Sequence, residues 1–331
     1  MSLSLLTNSA LGTFRQCPKN YEWSYVHRLR PVKESDAIRF GSLFHECMNA
    51  WWVKDGTEAT ALEVVKKSLE AAQISCSTEE ESKYEEYKAA HLRAVVRAYT
   101  THYSHGEYRA LEIEKEFKFT IDREGFEGIV FAGKIDKILE NQDGRKLIGE
   151  HKTTTMEISD PTAPYWRRLT MDPQISTYWL GAGSLGYEVD SCLYDVTRRP
   201  KHSPLMATPP DKMKFKKDGT PYATCRAEDE KPEDYEARVH GEIMQEQGKY
   251  FSRQNIVRLP QEMEAHLEDL RKVIAALKHS REVGFHKNPL ACFGRGTCPF
   301  LDACCGLEDP TISDRFRVAP VENEELAEEG E

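Results

Sequence analysis

Two features that would assign this protein at once to a membrane or to a secretory route are missing from its sequence. No apolar run approaches the roughly 20 residues that a membrane-spanning helix needs. Residues 1–6 lack the basic n-region and the small-residue cleavage site of a secretion signal. We therefore expect an intracellular, cytoplasmic protein with no membrane partner. A Gly-x4-Gly-Lys-Ser/Thr loop is also missing, so we expect no P-loop ATPase in this chain.

The overall composition is that of an ordinary globular protein. The chain has 331 residues, of which 30% are charged and 39% are hydrophobic, and this length allows one to three domains. The net charge of −10 is unevenly distributed. Residues 321–331 contain six glutamates and no basic residue, whereas residues 198–226 contain eight Lys and Arg against two Asp. An acidic total of this kind does not exclude a nucleic-acid partner.

The cysteines point to a metal rather than to disulfides. There are nine, an odd number in a chain without a secretion signal. The five-residue gaps that separate Cys292, Cys298 and Cys304 fit the Cys-x2–4-Cys spacing of zinc poorly, and an iron–sulfur cluster tolerates wider spacing. A fourth ligand is needed. Cys305 is adjacent to Cys304, so the candidate is Cys17, which precedes a proline. Spacing alone leaves zinc, iron–sulfur and plain structural thiols open.

Residues 133–152 predict a β-hairpin in which the polar residues are informative. Two strand-like runs flank an Asp-Gly turn. Side chains alternate between faces, so Glu150 and Lys152 point one way and His151 points the other. With Asp136 on the partner strand, two carboxylates and a lysine converge, a set that suits a hard divalent cation. The alternative is a solvated polar strand face.

The rest of the chain alternates helical and strand patterns, which predicts an α/β fold. Helical patterns cover 4–14, 40–51, 56–105, a segment that begins at Asp172-Pro173-Gln174, 228–251 and 259–279. Strand patterns cover 111–121, 128–136 and 189–196. They predict a three-stranded antiparallel meander that ends in the hairpin, followed by a parallel crossover. Residues 198–226 have no period and indicate a long basic loop.

Six short motifs occur in an order that resembles one family. They are Cys17-Pro-x-x-Tyr21, Gly41-x-x-x-His45, Gly133-x-x-Asp136, Glu150-x-Lys152, Gln174-x-x-x-Tyr178 and the C-terminal three-cysteine cluster. Together they resemble the RecB-like branch of the PD-(D/E)XK nuclease superfamily in its iron–sulfur form. Members include AddB-type nuclease domains, CRISPR-adaptation exonucleases and phage-encoded relatives. The resemblance covers about residues 4–305.

The resemblance implies a fold and a function. The fold would be a restriction-endonuclease-like core, a central mixed sheet flanked by helices, in a single domain over residues 1–315. Residues 56–105 would be a helical insertion, the cluster at 292–305 would join the helical N- and C-terminal parts, and 316–331 would be a disordered acidic tail. The function would be a Mg²⁺- or Mn²⁺-dependent DNA exonuclease that hydrolyses linear or single-stranded DNA in recombination, repair or phage DNA processing. A separate helicase or recombination protein would be a partner.

The resemblance also assigns roles to individual residues. The metal ligands would be His45, Asp136, Glu150 and the backbone carbonyl of His151. The catalytic residues would be Asp136, Glu150 and Lys152, of which Lys152 would position or activate the attacking water. The residues that support DNA or the lysine end of the site would be Gln174 and Tyr178. The ligands of a [4Fe–4S] cluster would be Cys17, Cys292, Cys298 and Cys304, with Cys305 as the alternative to Cys304.

Two questions stay open on the sequence alone. The first is whether the protein is instead a non-catalytic DNA-end-binding or partner subunit with the same fold. The intact Asp136, Glu150 and Lys152 argue against that reading. The second is whether the basic loop, which contains Phe215 and Tyr222, tracks and stacks a single strand or is simply solvated.

Overall fold

The computed structural model describes residues 4–222, 224–294 and 296–326. The strands are β1 (Ser4–Thr7), β2 (Leu29–Pro31), β3 (Tyr108–Phe119), β4 (Ile129–Asn141), β5 (Lys146–Thr154), β6 (Ser191–Arg198), β7 (Phe251–Ile256) and β8 (Phe316–Val318). The longer helices are α1 (Asn8–Gln16), α3 (Asp36–Trp52), α4 (Glu58–Ile74), α5 (Glu79–His102), α7 (Pro173–Ser184), α8 (Pro232–Gln245) and α10 (Pro260–Val283). Four single-turn helices are α2 (Pro18–Tyr21), α6 (Pro164–Arg167), α9 (Gln247–Tyr250) and α11 (Leu301–Cys304).

Strand β4 organises a six-stranded mixed sheet. Strand β3 pairs antiparallel with it along one edge. The other edge is shared, because β1 pairs in parallel with residues 129–132 and β5 pairs antiparallel with residues 137–140. Between these two pairings, residues 133–136 face neither β1 nor β5. The sheet therefore forks in the middle of β4.

The remaining strands extend the sheet from β5. Strand β6 pairs with β5 in parallel, and β7 pairs with β6 antiparallel. The connection from β5 to β6 runs through α7, so both the antiparallel meander and the parallel crossover are confirmed. The hairpin turn contains Gly144 at a φ of +77°, a conformation that favours glycine.

Helices cover both faces of the sheet because neighbouring strand residues enter different apolar clusters. Leu139, Leu147 and Leu193 pack with α3, α4, α5 and α8. Their neighbours Ile138, Ile148 and Cys192 pack with α6 and α7 on the opposite face. This confirms an α/β fold with a central mixed sheet flanked by helices. Among the described residues, none of the helices combines the length and apolarity needed to cross a membrane.

Two short strands lie where helices were predicted. Residues 4–7 form β1 rather than the first turn of a helix, and Thr7 ends the strand by capping α1, since its Oγ1 accepts a hydrogen bond from Ala10 N at 3.1 Å. The predicted helix over 228–251 ends earlier, and Phe251 begins the edge strand β7. Both strands are only four to six residues long, so their apolar pattern is too short to separate from a helical one.

The acidic tail also differs from the prediction of disorder over 316–331. Strand β8 begins at Phe316 and pairs antiparallel with β2. The Phe316 ring stacks on Phe300 at 4.9 Å between centroids, and Glu324 forms ion pairs with Arg30 and Arg317. These contacts order the beginning of the segment, and the predicted disorder of 327–331 lies outside the described residues.

Candidate active site

The fork in the sheet opens onto a groove of about 880 Å³. Side chains from both faces reach it, because neither β1 nor β5 pairs with residues 133–136 of β4. His45 comes from α3 on one face, and Gln174 and Tyr178 come from α7 on the other. Asp136 and Lys152 line the groove between them. Five of the predicted site residues thus share one groove.

A compact group of metal-type ligands lies in this groove. His45 Nε2 is 2.9 Å from Asp136 Oδ2, and His45 Nδ1 is 3.5 Å from Glu114 Oε1. One ligand atom from each residue lies within 4.8 Å of the other two. No other set of three His, Cys, Asp or Glu in the described part of the chain has this spacing. Imidazole nitrogen and carboxylate oxygen are ligands that Mn²⁺ and similar divalent ions accept.

Glu114 was not predicted as a site residue. In strand β3 its backbone has a φ of +52°, which is uncommon for a residue other than glycine. The pairing of β3 with β4 also shifts register between Ala110 and Glu112. The Glu114 carboxylate accepts a hydrogen bond from Asn49 Nδ2 at 2.9 Å and lies 3.0 Å from Lys134 Nζ. A period-two pattern treats Glu112 and Glu114 alike, so the sequence carried no signal that singled out Glu114.

Glu150 is buried beside this group and has one oxygen without a partner. Its Oε1 forms an ion pair with Lys152 and accepts a hydrogen bond from Gln174 Nε2 at 2.9 Å. Its Oε2 is buried and has no hydrogen-bond partner in the described structure. Burial, together with the charge of Asp136, raises the pKa of Glu150 to about 7 against the opposing charge of Lys152. A buried carboxylate oxygen left unpaired is costly, and a cation would satisfy it.

The other two charged groups are held in their ionised forms. Burial opposes ionisation of Asp136, but the charges of His45, Lys137 and Lys152 outweigh it and hold its pKa below the usual value. Asp136 Oδ2 also accepts a hydrogen bond from the backbone N–H of His151 at 3.0 Å. For Lys152, burial is outweighed by Glu150 and Asp136, so its pKa is raised and the ammonium form is retained.

The His151 side chain points away from the groove, as its position in the strand predicts. Its Nδ1 lies 3.5 Å from Asp195 Oδ2 on β6. Asp195 is buried and accepts hydrogen bonds from Arg253 Nε at 2.9 Å and from the Tyr99 hydroxyl. This polar cluster ties β5, β6, β7 and α5 together behind the site.

Glycines set the distance between α7 and the sheet. A Cβ atom on Gly133 would lie 2.6 Å from Phe117 Cζ, and one on Gly181 would lie 2.7 Å from Phe117 Cδ1. The Phe117 ring therefore packs directly against both glycine backbones. On α3, a Cβ atom on Gly41 would lie 3.2 Å from Thr153 Oγ1. Helix α3 thus approaches β5 closely at Gly41.

The candidate cluster cysteines line a second cavity, of about 170 Å³. Its sulfur-bearing lining residues are Cys17, Cys292, Cys298, Cys304 and Cys305. Burial raises the pKa of Cys298, and the nearby Cys292, Cys304 and Cys17 raise it further. The sulfurs are not arranged as a compact metal site, because within the described ranges no three of them have ligand atoms that all lie within 4.8 Å of one another.

Two hydrogen bonds bring Cys17 to this cavity. Lys19 N donates to His286 O at 3.0 Å, and Asn288 Nδ2 donates to Gln16 O at 2.8 Å. The residues that flank Cys17 are therefore fixed to the segment that precedes Cys292.

A forked mixed sheet with a histidine, carboxylates and a lysine gathered at the fork is the arrangement of a metal-dependent nuclease with a restriction-endonuclease-like core. The family model for the PD-(D/E)XK nuclease superfamily matches residues 5–305. This chain belongs to the PD-(D/E)XK nuclease superfamily, which confirms the predicted superfamily.

Other comparisons add little. Among solved structures, the one described as "Crystal structure of SSO0001" is 17% identical over 55% of this chain and 83% of that chain, with a TM-score of 0.21. This likeness is too low to support a conclusion about fold or function. No curated protein matches the chain.

Proposed function

We propose that this protein is a Mg²⁺- or Mn²⁺-dependent deoxyribonuclease of the RecB-like branch, acting as an exonuclease on linear or single-stranded DNA. One observation carries the proposal: His45, Glu114 and Asp136 bring ligand atoms within 4.8 Å of one another beside the buried Glu150–Lys152 pair. Roles in recombination, repair or phage DNA processing belong to the same proposal.

The residues around the fork fit a divalent cation. His45, Asp136 and Glu150 would hold it, together with Glu114 and the backbone carbonyl of His151. The unpaired Oε2 of Glu150 supports this fit, because a cation would supply its missing partner. When bound, such a cation supplies Lewis-acid stabilisation of the phosphate and lowers the pKa of a water molecule.

The protein side chains would orient the reactants. Lys152 forms an ion pair with Glu150, so its ammonium group would position water or a phosphate oxygen. Gln174 fixes Glu150 through Oε1 and leaves Oε2 free to face the cation. Gln174 also donates to the Tyr178 hydroxyl at 2.9 Å, which leaves the hydroxyl proton available for a DNA phosphate.

The proposal is tested with end-labelled linear DNA, closed circular DNA as control substrate, and Mg²⁺ or Mn²⁺. We expect degradation of linear DNA by the wild type and loss of it in Lys152→Ala. The matched variant Lys115→Ala, on β3, should retain activity. Equal behaviour of the wild type and Lys152→Ala on every substrate would refute the proposal. DNA-end binding without cleavage in any metal would favour the non-catalytic alternative.

We further propose a [4Fe–4S] cluster on Cys17, Cys292, Cys298 and Cys304. The shared cavity supports it. Tetrahedral zinc, with Zn–S distances of about 2.3 Å, needs sulfurs about 3.8 Å apart, and the described cysteines lack such spacing. A cluster of several iron atoms holds its ligands farther apart. Its role would be to brace the N- and C-terminal parts.

Anaerobic purification tests the cluster. We expect a brown protein that contains iron and sulfide, loss of both in Cys304→Ser, and retention in the neighbouring variant Cys305→Ser. Colourless protein with stoichiometric zinc would refute the iron–sulfur assignment. Retention of iron in Cys304→Ser with loss in Cys305→Ser would transfer the fourth ligand to Cys305.

A further inference from the structure

The basic loop contains a small ordered β-hairpin, Lys214–Tyr222, which we name the basic hairpin. Lys216 N donates to Thr220 O at 2.7 Å, and Tyr222 N donates to Lys214 O at 2.9 Å. Gly219 closes the turn with a φ of +81°, as in hairpins with a three-residue loop. The segment is therefore a defined structural element rather than an irregular solvated loop.

The hairpin places lysine and tyrosine on one face. Phe215 pairs with Pro221 across the two strands. Because strand side chains alternate, Lys214, Lys216 and Tyr222 share one face and Phe215 lies on the other. Tyr222 is 49% exposed and Phe215 is 56% exposed. Neither aromatic ring is used to build the core.

The positive charge of this face is not neutralised by the protein. Lys214 and Lys216 are exposed, and the ion pairs formed by the described residues do not include them. Two carboxylates beyond the hairpin are engaged elsewhere, because Glu230 pairs with Arg238 and Asp229 pairs with Lys83. In the hairpin turn, Asp218 accepts hydrogen bonds from Thr220. An exposed tyrosine between free lysines offers a stacking surface and phosphate contacts together.

The segment that leads to the basic hairpin leaves the sheet near the proposed catalytic lysine. Arg199 N donates to Thr154 O at 2.7 Å, which continues the β5–β6 pairing two residues beyond Lys152. Farther along, Thr208 N donates to Arg226 O at 2.9 Å and closes the base of the loop. The chain thus leaves the sheet at the end that carries Lys152, and the base of the loop is fixed to α5, where Lys83 pairs with Asp229.

We infer that the basic hairpin binds single-stranded DNA, with a base stacked on Tyr222 and phosphates at Lys214 and Lys216. A single strand is favoured over a duplex because its bases expose a π-face that the tyrosine can cover. The hairpin would guide the strand toward the groove. This guiding role rests on the proposed nuclease function, but the binding itself does not need the metal.

Fluorescence anisotropy with 5′-fluorescein-labelled (dT)20 in EDTA tests the inference on the full chain. We expect Tyr222→Ala to weaken binding between about 5- and 150-fold, the range that loss of one base stack produces. The double variant Lys214→Gln/Lys216→Gln should reduce the slope of log K against log salt by about 1.4. Two controls match these changes: Phe215→Ala on the opposite hairpin face, and Lys66→Gln/Lys67→Gln on α4. Both should bind within about twofold of the wild type.

Three results would overturn the inference. One is wild-type affinity in both hairpin variants, and another is an equal loss in the α4 control, which would assign the effect to overall charge. The third is an equal effect of Tyr222→Ala on a closed duplex dumbbell. If (dT)20 binding depends on the basic hairpin but the wild type does not cleave DNA in either Mg²⁺ or Mn²⁺, the hairpin inference stands and the nuclease proposal fails. If the wild type cleaves DNA normally and the hairpin variants bind (dT)20 as tightly as the wild type, the nuclease proposal stands and the hairpin inference fails.

Discussion

Replacing Gly181 by alanine is expected to disturb the active site from behind α7. The new Cβ atom would lie 2.7 Å from Phe117 Cδ1 and Cγ. Non-bonded carbon atoms settle at about 3.5–4.0 Å, so the ring or the helix must move by about 1 Å. The ring cannot retreat, because it is 2% exposed and its far edge already packs on Gly133. The helix is therefore the element that moves.

The displacement has two measurable consequences. Overpacking of a core site costs about 1–3 kcal/mol of unfolding free energy. The same helix carries Gln174, whose Nε2 lies 2.9 Å from Glu150 Oε1, and a shift of about 1 Å breaks this hydrogen bond. Misplacement of that size costs up to about 100-fold in rate. We expect Gly181→Ala to lower both stability and metal-dependent DNA hydrolysis.

Urea unfolding and end-labelled DNA cleavage measure the two effects. Gly183→Ala on the same helix is the matched control, because a Cβ atom added there would have no neighbouring atom within 4 Å. It should keep full activity and gain up to about 1 kcal/mol from helix propensity. Adding Phe117→Leu to Gly181→Ala should restore part of the loss. The reasoning is refuted if Gly181→Ala is as stable and as active as Gly183→Ala.

Three further changes test the charged groups. Glu114→Gln should weaken Mn²⁺ binding by calorimetry about tenfold or more, and unchanged affinity would remove Glu114 from the ligand set. Since the folded state raises the pKa of Glu150 from 4.5 to about 7, the folded state binds more protons than the unfolded one between these values. In metal-free protein the contribution of Glu150 to stability should therefore fall by up to about 3 kcal/mol as pH rises from 4.5 to 7. The difference between wild type and Glu150→Gln in urea unfolding with EDTA isolates this contribution from that of His91 and His266, whose lowered pKa values act in the opposite direction. Equal pH profiles of the two proteins would contradict the assignment. Asp195→Asn leaves the buried Arg253 with only the exposed Glu107 as counter-ion, 3.6 Å away, and should cost about 3–5 kcal/mol in urea unfolding. A loss below about 1 kcal/mol would show that the Asp195–Arg253 pair is dispensable.

The β4–β5 hairpin could be predicted from the sequence because its polar residues follow the strand period. Asp136, Glu150 and Lys152 lie where alternation places them, and His151 points to the opposite face. The fork itself could not be predicted. Pairing between β4 and β5 stops at Lys137, because β1 occupies the other half of the same edge. That arrangement depends on a four-residue strand from the start of the chain.

Glu114 shows a second limit of sequence reasoning. Clean alternation over 111–121 predicts a regular strand, and β3 does form there. The side chain that reaches His45 is selected by a register shift and a positive φ. Both features arise from how β3 fits against β4, which no local pattern encodes.

The contact between Thr7 and Asn323 has a consequence for synthesis. Thr7 Oγ1 lies 3.5 Å from Asn323 Oδ1, 316 positions away, and Leu326 lines the groove together with Thr7. A ribosome extends a chain by about 5–20 residues per second, so residue 326 is added roughly 10–35 s after Lys152. For that interval the helix with His45 and the hairpin with Asp136 are already made while this wall of the groove is missing. The groove is therefore completed well after its proposed metal ligands have been synthesised.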